Sequence, residues 1–232
     1  MRTGFIAAVA VAGLLAGCAP QVPRLADGEG QQPAGFPDAY YRQAALRGQP
    51  VYEVDPASSL VVIEVRRGGA LAHLGHDHVV ASHDIHGYVA PADGRADLYL
   101  PLDRLVVDER DLRAEAQFDT QPSDEAIAGT RGNMLEKLGA GKQPYALVGV
   151  RGVDIDAAGS RLSATITLNG ITRAMPIPAQ IVLAAEEVNV TGRVTLEQTS
   201  FGIVPFSILA GALQVQDQVS IRFRIRARRM AL

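Results

Sequence analysis

Near the C-terminus Val219, Ile221, Phe223, Ile225 and Ala227 share one parity, while Ser220, Arg222, Arg224, Arg226 and Arg228 share the other. Successive side chains of an extended strand point to opposite faces, so this pattern requires a strand with one buried and one wet side. The same alternation sets Leu162, Ala164, Ile166 and Leu168 against Arg161, Ser163, Thr165 and Thr167. It also sets Val188, Val190, Val194 and Leu196 against Asn189, Thr191, Arg193, Thr195 and Glu197. Shorter runs recur at Val61, Ile63 and Val65, at Ala96, Leu98, Leu100 and Leu102, at Ala146, Val148 and Val150, and at Met175, Ile177, Ala179, Ile181 and Leu183. With the segment 79–90 these make about eight strands, enough to close a small barrel. Asn169-Gly170 sits between two of the runs and predicts a two-residue hairpin, because both central positions of such a turn need positive φ. One helix is expected to interrupt the strands. It starts after Ser123, carries Asp124 and Glu125 in its first turn, presents Ile127, Met134, Leu135 and Leu138, and ends before Gly139.

The wet face of the last strand decides which way the barrel is turned. In an outer-membrane barrel that face meets lipid, where each arginine near the bilayer midplane costs about 2–4 kcal/mol. Apolar side chains are therefore expected inside and polar ones outside. A small barrel of this polarity either fills its interior with side chains or leaves room for one ligand. The inward positions are mostly medium aliphatics, and the chain has six Phe and no Trp, so large plugs are scarce. That favours an elongated apolar cavity, which would accept a hydrocarbon chain at about 0.8 kcal/mol per buried methylene.

Charge and cysteine usage narrow the partners. The 22 Lys+Arg against 25 Asp+Glu give a net charge of −3, which offers no general attraction for phosphate backbones, so nucleic acid is not an expected partner. The one cysteine, Cys18, leaves the rest of the chain without a thiol for a disulfide, a zinc thiolate or a nucleophile. It follows Arg2, an apolar run from Phe5 to Leu15, and the small residues Ala16 and Gly17, the build of a secretory signal and too short to span a bilayer. Leu15-Ala16-Gly17-Cys18 resembles the lipobox of bacterial lipoproteins. That resemblance implies lipidation of Cys18 and attachment to the periplasmic side of a membrane in the bacterial cell envelope, with Ala19 fitting the outer membrane. The expected division is a signal peptide over 1–17, the lipidated Cys18 and a flexible Pro- and Gly-rich tether over 18–49, and a barrel domain over 50–230. Within the tether, residues 37–48 have the pattern of a short helix that either docks on the domain or floats.

All five histidines fall between His73 and His86, with Asp77 and Asp84 among them. Imidazole is a common ligand for zinc, copper and nickel, so His73, His76 and His78 are candidate ligands for a divalent metal. Two other uses stay open: hydrogen bonding that caps the barrel mouth, or His76 and Asp77 holding the polar head of a lipid. The spacing His73-Leu74-Gly75-His76-Asp77-His78 is off by one from the metal-binding motif of metallo-β-lactamase-like hydrolases, and no later histidine follows. With no Gly-x-Ser-x-Gly, phosphate loop or dinucleotide fingerprint present, no enzyme activity is expected.

Several segments match one family. Val54-Asp55-Pro56-Ala57-Ser58-Ser59, Gly87, Pro144 ahead of a strand, Leu168-Asn169-Gly170-Ile171-Thr172-Arg173 and Thr199-Ser200-Phe201-Gly202 together resemble the YceI family of lipid- or polyisoprenoid-binding proteins, over about residues 52–228. The resemblance implies an all-β fold, an antiparallel up-and-down lipocalin-like barrel. It further implies a carrier for a polyisoprenoid, a fatty acid or amide, or an isoprenoid quinone, serving transport, storage or sequestration without a cofactor. Inward parity on matching strands marks Ile63, Leu98, Leu100, Val148, Ile166, Leu168, Ile177, Val194, Ile221 and Phe223 as cavity wall, joined by Phe201 and Phe206 as aromatic contributors. A metal-binding or electron-transfer accessory using the histidines is the alternative.

Overall fold

The computed structural model describes residues 32–156 and 159–231. Residues 1–31, including the lipobox and Cys18, lie outside the described residues.

The strands are β1 (Tyr52–Val54), β2 (Leu60–Gly68), β3 (His78–Ser82), β4 (His86–Ala90), β5 (Arg95–Pro101), β6 (Val106–Val107), β7 (Tyr145–Asp156), β8 (Gly159–Leu168), β9 (Ile171–Leu183), β10 (Glu187–Glu197), β11 (Ser207–Ile208) and β12 (Leu213–Arg229). Every pairing is antiparallel, and the ring β1-β4-β5-β7-β8-β9-β10-β12 closes where Tyr52, Glu53 and Val54 meet Arg229, Arg228 and Ala227. This is the eight-stranded up-and-down barrel expected from the alternation.

Its first staves are broken in ways the periodicity does not reveal. β1 and β2 share one edge of β12 on either side of a turn at Pro56–Ser58, and β3 and β4 are separated by His83, Asp84 and Ile85. The segment 79–90, read as one strand, is therefore two. Asn169 and Gly170 adopt φ of 51° and 75° with Leu168 opposite Ile171, so the expected hairpin is present.

The seam between β9 and β10 is only half laddered. Pairing runs from Val188 opposite Leu183 to Gly192 opposite Ala179 and stops there, where Pro178 and then Pro176 lack the N–H that would continue it. Phe201, in the short helical turn Gln198–Phe201, packs behind this unpaired stretch with Ile203, Leu196 and Val219.

Three helices decorate the barrel. α1 (Asp38–Leu46) docks on the outer wall, burying Tyr41, Ala44 and Ala45 against Val51 and Ala90. The Tyr41 hydroxyl donates to Asp97 at 2.7 Å, and burial together with that carboxylate pushes the phenol pKa up, which keeps it a donor. The helix pattern inside the tether is thus real and docked. α2 (Arg110–Glu115) lays Leu112, followed by Phe118, on the outward-facing Val62, Val79 and Ala81. Six residues are too few for a legible helical period, so the single helix expected between strands is in fact two. α3 (Asp124–Lys137) starts with the Ser123 side chain accepting from the Ala126 N–H, and lays Ile127, Met134, Leu135 and Leu138 across one end of the barrel over Leu102 and Leu105.

At Gly192 a Cβ would stand 2.4 Å from the Phe223 ring and 2.5 Å from the Pro178 carbonyl oxygen. Gly192→Ala is expected to destabilise the barrel by about 1–3 kcal/mol, as overpacking does, read as a lower urea midpoint with an unchanged slope.

Candidate functional site

The inward parities converge on a cavity of about 300 Å³ that runs along the barrel axis. Its wall is built from alternate residues of β2, β5, β7, β8, β9, β10 and β12, almost all Ala, Val, Leu and Ile. Three alanines, Ala96, Ala146 and Ala164, keep the bore open where larger side chains would meet across it. Among the described residues Phe223 is the one aromatic side chain on the wall, and its ring occupies the space that Gly192 leaves free.

The two ends differ. α3 caps one end, where Leu138 joins Leu102, Leu105 and Leu168 in the lining. At the other end, wall residues emerge into solvent: Leu183 is 56% exposed and Val153 is 38% exposed. This is the mouth. Among the described residues Arg95 is the only charged one in the lining, yet its Nε donates to Asp97 at 2.8 Å and its guanidinium lies 4.0 Å over the Tyr40 ring. Its charge is spent on the outer wall, and only the stem borders the cavity.

Of the residues marked from sequence, Ile63, Leu98, Leu100, Val148, Ile166, Leu168, Ile177, Val194, Ile221 and Phe223 stand on the cavity wall. Phe201 and Phe206 do not. Phe201 is 1% exposed in the packed layer beside the β9–β10 seam, and Phe206 is 39% exposed on the loop ahead of β11. Both lie beyond the end of β10, where strand parity no longer says which way a side chain points. Wall residues outside that set include Val190 and Ile225, which share the parity of their marked neighbours, and Ile85 and Leu138, which only the strand break and the helical cap bring in.

The histidines do not assemble. His78 Nδ1 lies 2.6 Å from Asp108 Oδ2, His83 Nε2 lies 2.8 Å from Glu109, and His86 Nε2 lies 2.6 Å from Asp84 with its ring stacked on Tyr99. His76 meets His78 edge to face with ring centres 6.3 Å apart, and His73 is exposed on its loop. Among the described residues no group of three or more His, Cys, Asp or Glu side chains is placed to hold a metal ion, which overturns the metal expectation for His73, His76 and His78. The sequence crowded them, but a loop and a strand break keep them from converging: His78, His83 and His86 each meet a different carboxylate, and the buried Nδ1 of His76 meets none. None lines the cavity, and the hydrogen bond of His78 to Asp108 belongs to the closed end of the barrel and not to the mouth. His78 sits beside Val65 at the level of Val219, whereas the mouth lies at the level of Ala227, roughly 26 Å further along the strand.

What His78 joins is structural. Asp108, at φ 59°, accepts from the Val79 N–H and from Arg113, which is 2% exposed and also donates to the Asp77 and Thr120 carbonyls. Burial raises the Asp108 pKa, but the hydrogen bonds from His78, Val79 and Arg113 outweigh it and hold the carboxyl below its ordinary value.

An eight-stranded up-and-down barrel with an apolar bore capped at one end defines the lipocalin-like class of β-barrels. Residues 52–227 match the model of the YceI-like domain, and the chain belongs to the YceI-like family. Among solved structures it is similar to a polyisoprenoid-binding domain from Saccharophagus degradans implicated in plant cell wall breakdown. The TM-score is 0.54 at 15% identity, covering 77% of this chain and 98% of that one. It is similar as well to BcnA of Burkholderia cenocepacia, with a TM-score of 0.54 at 15% identity over 75% of this chain and 98% of the other. No curated protein sequence matches the chain.

Removing one member of the buried pair should be costly. Arg113→Ala leaves Asp108 buried without its guanidinium, held only by His78 and the Val79 N–H, with an expected loss of about 3 kcal/mol in urea unfolding at neutral pH. Because the Asp108 pKa is lowered by folding, its contribution is present above the ordinary carboxylate range and is lost as pH falls through the folded value. The acid limb of the stability profile should accordingly be steeper in the natural chain than in Asp108→Asn.

Proposed function

We propose that this protein is a lipid-anchored carrier on the periplasmic face of a bacterial membrane, the outer membrane by its N-terminal sequence, and that it holds one long apolar molecule inside the barrel. The observation that carries the reading is the wall: its one charged side chain, Arg95, is engaged outside, and the rest is aliphatic apart from Phe223 and backbone at Gly94. A polar atom taken into such a bore would forgo its hydrogen bonds at roughly 2–7 kcal/mol, whereas each methylene gains about 0.8 kcal/mol. The ligand is then a hydrocarbon chain with its polar head left at the mouth, as a polyisoprenoid, a fatty acid or amide, or an isoprenoid quinone would be. The similar barrel from Saccharophagus degradans, a polyisoprenoid-binding domain, supports the same class. Binding for transport, storage or sequestration follows, without a bond-breaking step. The lipobox pattern ending in Cys18 supports the anchor and its location.

Mass spectrometry of the protein purified from its native membrane should find one long-chain lipid per barrel. Ala164→Phe, which places a ring in the bore opposite aliphatic walls, should fold and lose that lipid. Repeated recovery of the natural chain with no lipid, and no uptake of offered isoprenoids or fatty acids, would end the carrier reading.

A further inference from the structure

The tip of the β9–β10 hairpin is apolar and exposed. Val182, Leu183, Ala184 and Ala185 are four consecutive apolar residues, all exposed, with Val182 at 63%. Such a run on a surface is an error of design unless something covers it. Here it is also held in place. The Tyr52 hydroxyl, from a side chain that is itself buried, donates to the Ala184 and Ala185 carbonyls, and Arg229 donates to the Ala185 carbonyl from the outside. Leu183 belongs to two surfaces at once, since it lines the cavity and faces solvent, while Val182 points to the outer side of the same strand end.

We infer that this tip is a membrane-docking element: it dips into the outer layer of a lipid bilayer, with Arg229 among the phosphate head groups, so that the cavity mouth opens onto the acyl region. This rests on the reading of the cavity as a hydrocarbon site. The occupant is a bilayer because the apolar wall of the bore runs without a polar break through Leu183 to the tip. Arg229 stands beside the tip, and of the two carboxylates that follow the apolar run Glu187 is paired with Arg226 while Glu186 is exposed, so the apolar run and not net charge argues for a bilayer. The chemistry of the cargo demands such a contact. Each methylene exposed to water costs roughly a factor of four in the partition, so a ten-methylene chain is about a millionfold rarer in water than in hydrocarbon, and delivery through water is slow. A second exposed apolar set, Val204, Phe206, Ile208 and Leu209, lies at the capped end, and none of it lines the cavity. The two poles make opposite predictions about which end meets lipid.

The chain has no tryptophan, so Val182→Trp and Val204→Trp each install a single reporter. On vesicles of phosphatidylethanolamine and phosphatidylglycerol with brominated acyl chains, the full chain carrying Val182→Trp should be blue-shifted and quenched, and that carrying Val204→Trp should stay water-like. Quenching at Val204 alone, or at neither site, overturns the inference. A second measurement uses pyrene-labelled hexadecanoic acid. Val182→Asp combined with Ala184→Asp should slow its transfer from vesicles to the barrel roughly tenfold, the order expected for charging an interfacial anchor, and should leave equilibrium uptake from dilute ethanol solution unchanged. Equal transfer rates for the natural and doubly substituted chains remove the docking tip while keeping the cavity. No uptake by either route removes the hydrocarbon site itself, and the tip with it.

Discussion

The register of β12 is what the rest of the structure depends on. This 17-residue strand pairs with β10 along one edge, from Glu187 opposite Arg228 to Glu197 opposite Gln218, and along the other with β2 and then β1. A slip of one residue would exchange its faces and drive Arg222, Arg224, Arg226 and Arg228 into the bore. Each buried unpaired charge costs several kcal/mol, so the arginines fix the register as firmly as Ile221, Phe223 and Ile225 do. In the native register Arg222 reaches Glu115 at the end of α2, Arg226 reaches Glu187 on β10, and Arg228 reaches Asp55 in the turn between β1 and β2. One alternating strand therefore orients three of its neighbours, and the hairpins that follow inherit the parity.

A barrel with this register had two outcomes available, a packed interior or a bore, and small side chains decide between them. Filling about 300 Å³ with protein atoms would recover on the order of 7 kcal/mol at about 24 cal/mol per Å³. That is comparable with the whole net stability of a typical domain. Alanine at 96, 146 and 164 and glycine at 192 forgo it, and the ring of Phe223 is drawn to the wall instead of across the axis. Stability is found elsewhere: in the packed layer of Phe201, Ile203 and Leu196 beside the seam, in the aromatic contacts under α1, and in α2 and α3.

What was legible in the sequence was local. The alternation in β8, β10 and β12 is read off directly because one face is wet and the other is not, and α3 announces itself by Ser123 and by its apolar stripe. Ten wall residues follow from inward parity on the strands that resemble the family. What was not legible depends on distant partners. The break at His83–Ile85 exists because β3 turns toward β6 while β4 stays with β1 and β5. Phe206 was misplaced because a loop has no parity, and the histidines looked like a cluster because closeness in sequence is not convergence in space. Pro176 and Pro178 could have been read as the end of a ladder, since a residue without an N–H belongs at a sheet edge.

The division between the two ends of the bore follows from the kinds of interaction each can support. At the capped end the ladder is thin, with β6 contributing only Val106 and Val107 opposite Ala81 and Val80. Directional bonds take over: Asp108 ties the β6 end to the Val79 amide, to His78 and to Arg113, and Arg113 ties α2 to the chain at Asp77 and Thr120. A buried network of this kind contributes little net energy compared with apolar packing, but it tolerates only one arrangement. At the mouth the polar groups lie on the outer wall, where Asp97 accepts from Tyr41, Arg95 and Arg151 and where Tyr52 and Arg229 hold the β9–β10 tip, while Val153, Ile181 and Leu183 facing the bore are aliphatic. Apolar contacts are non-directional and yield to a passing chain, while hydrogen-bonded charges do not. On the proposed carrier reading, an end that stays shut and an end that admits a hydrocarbon chain call for these two chemistries.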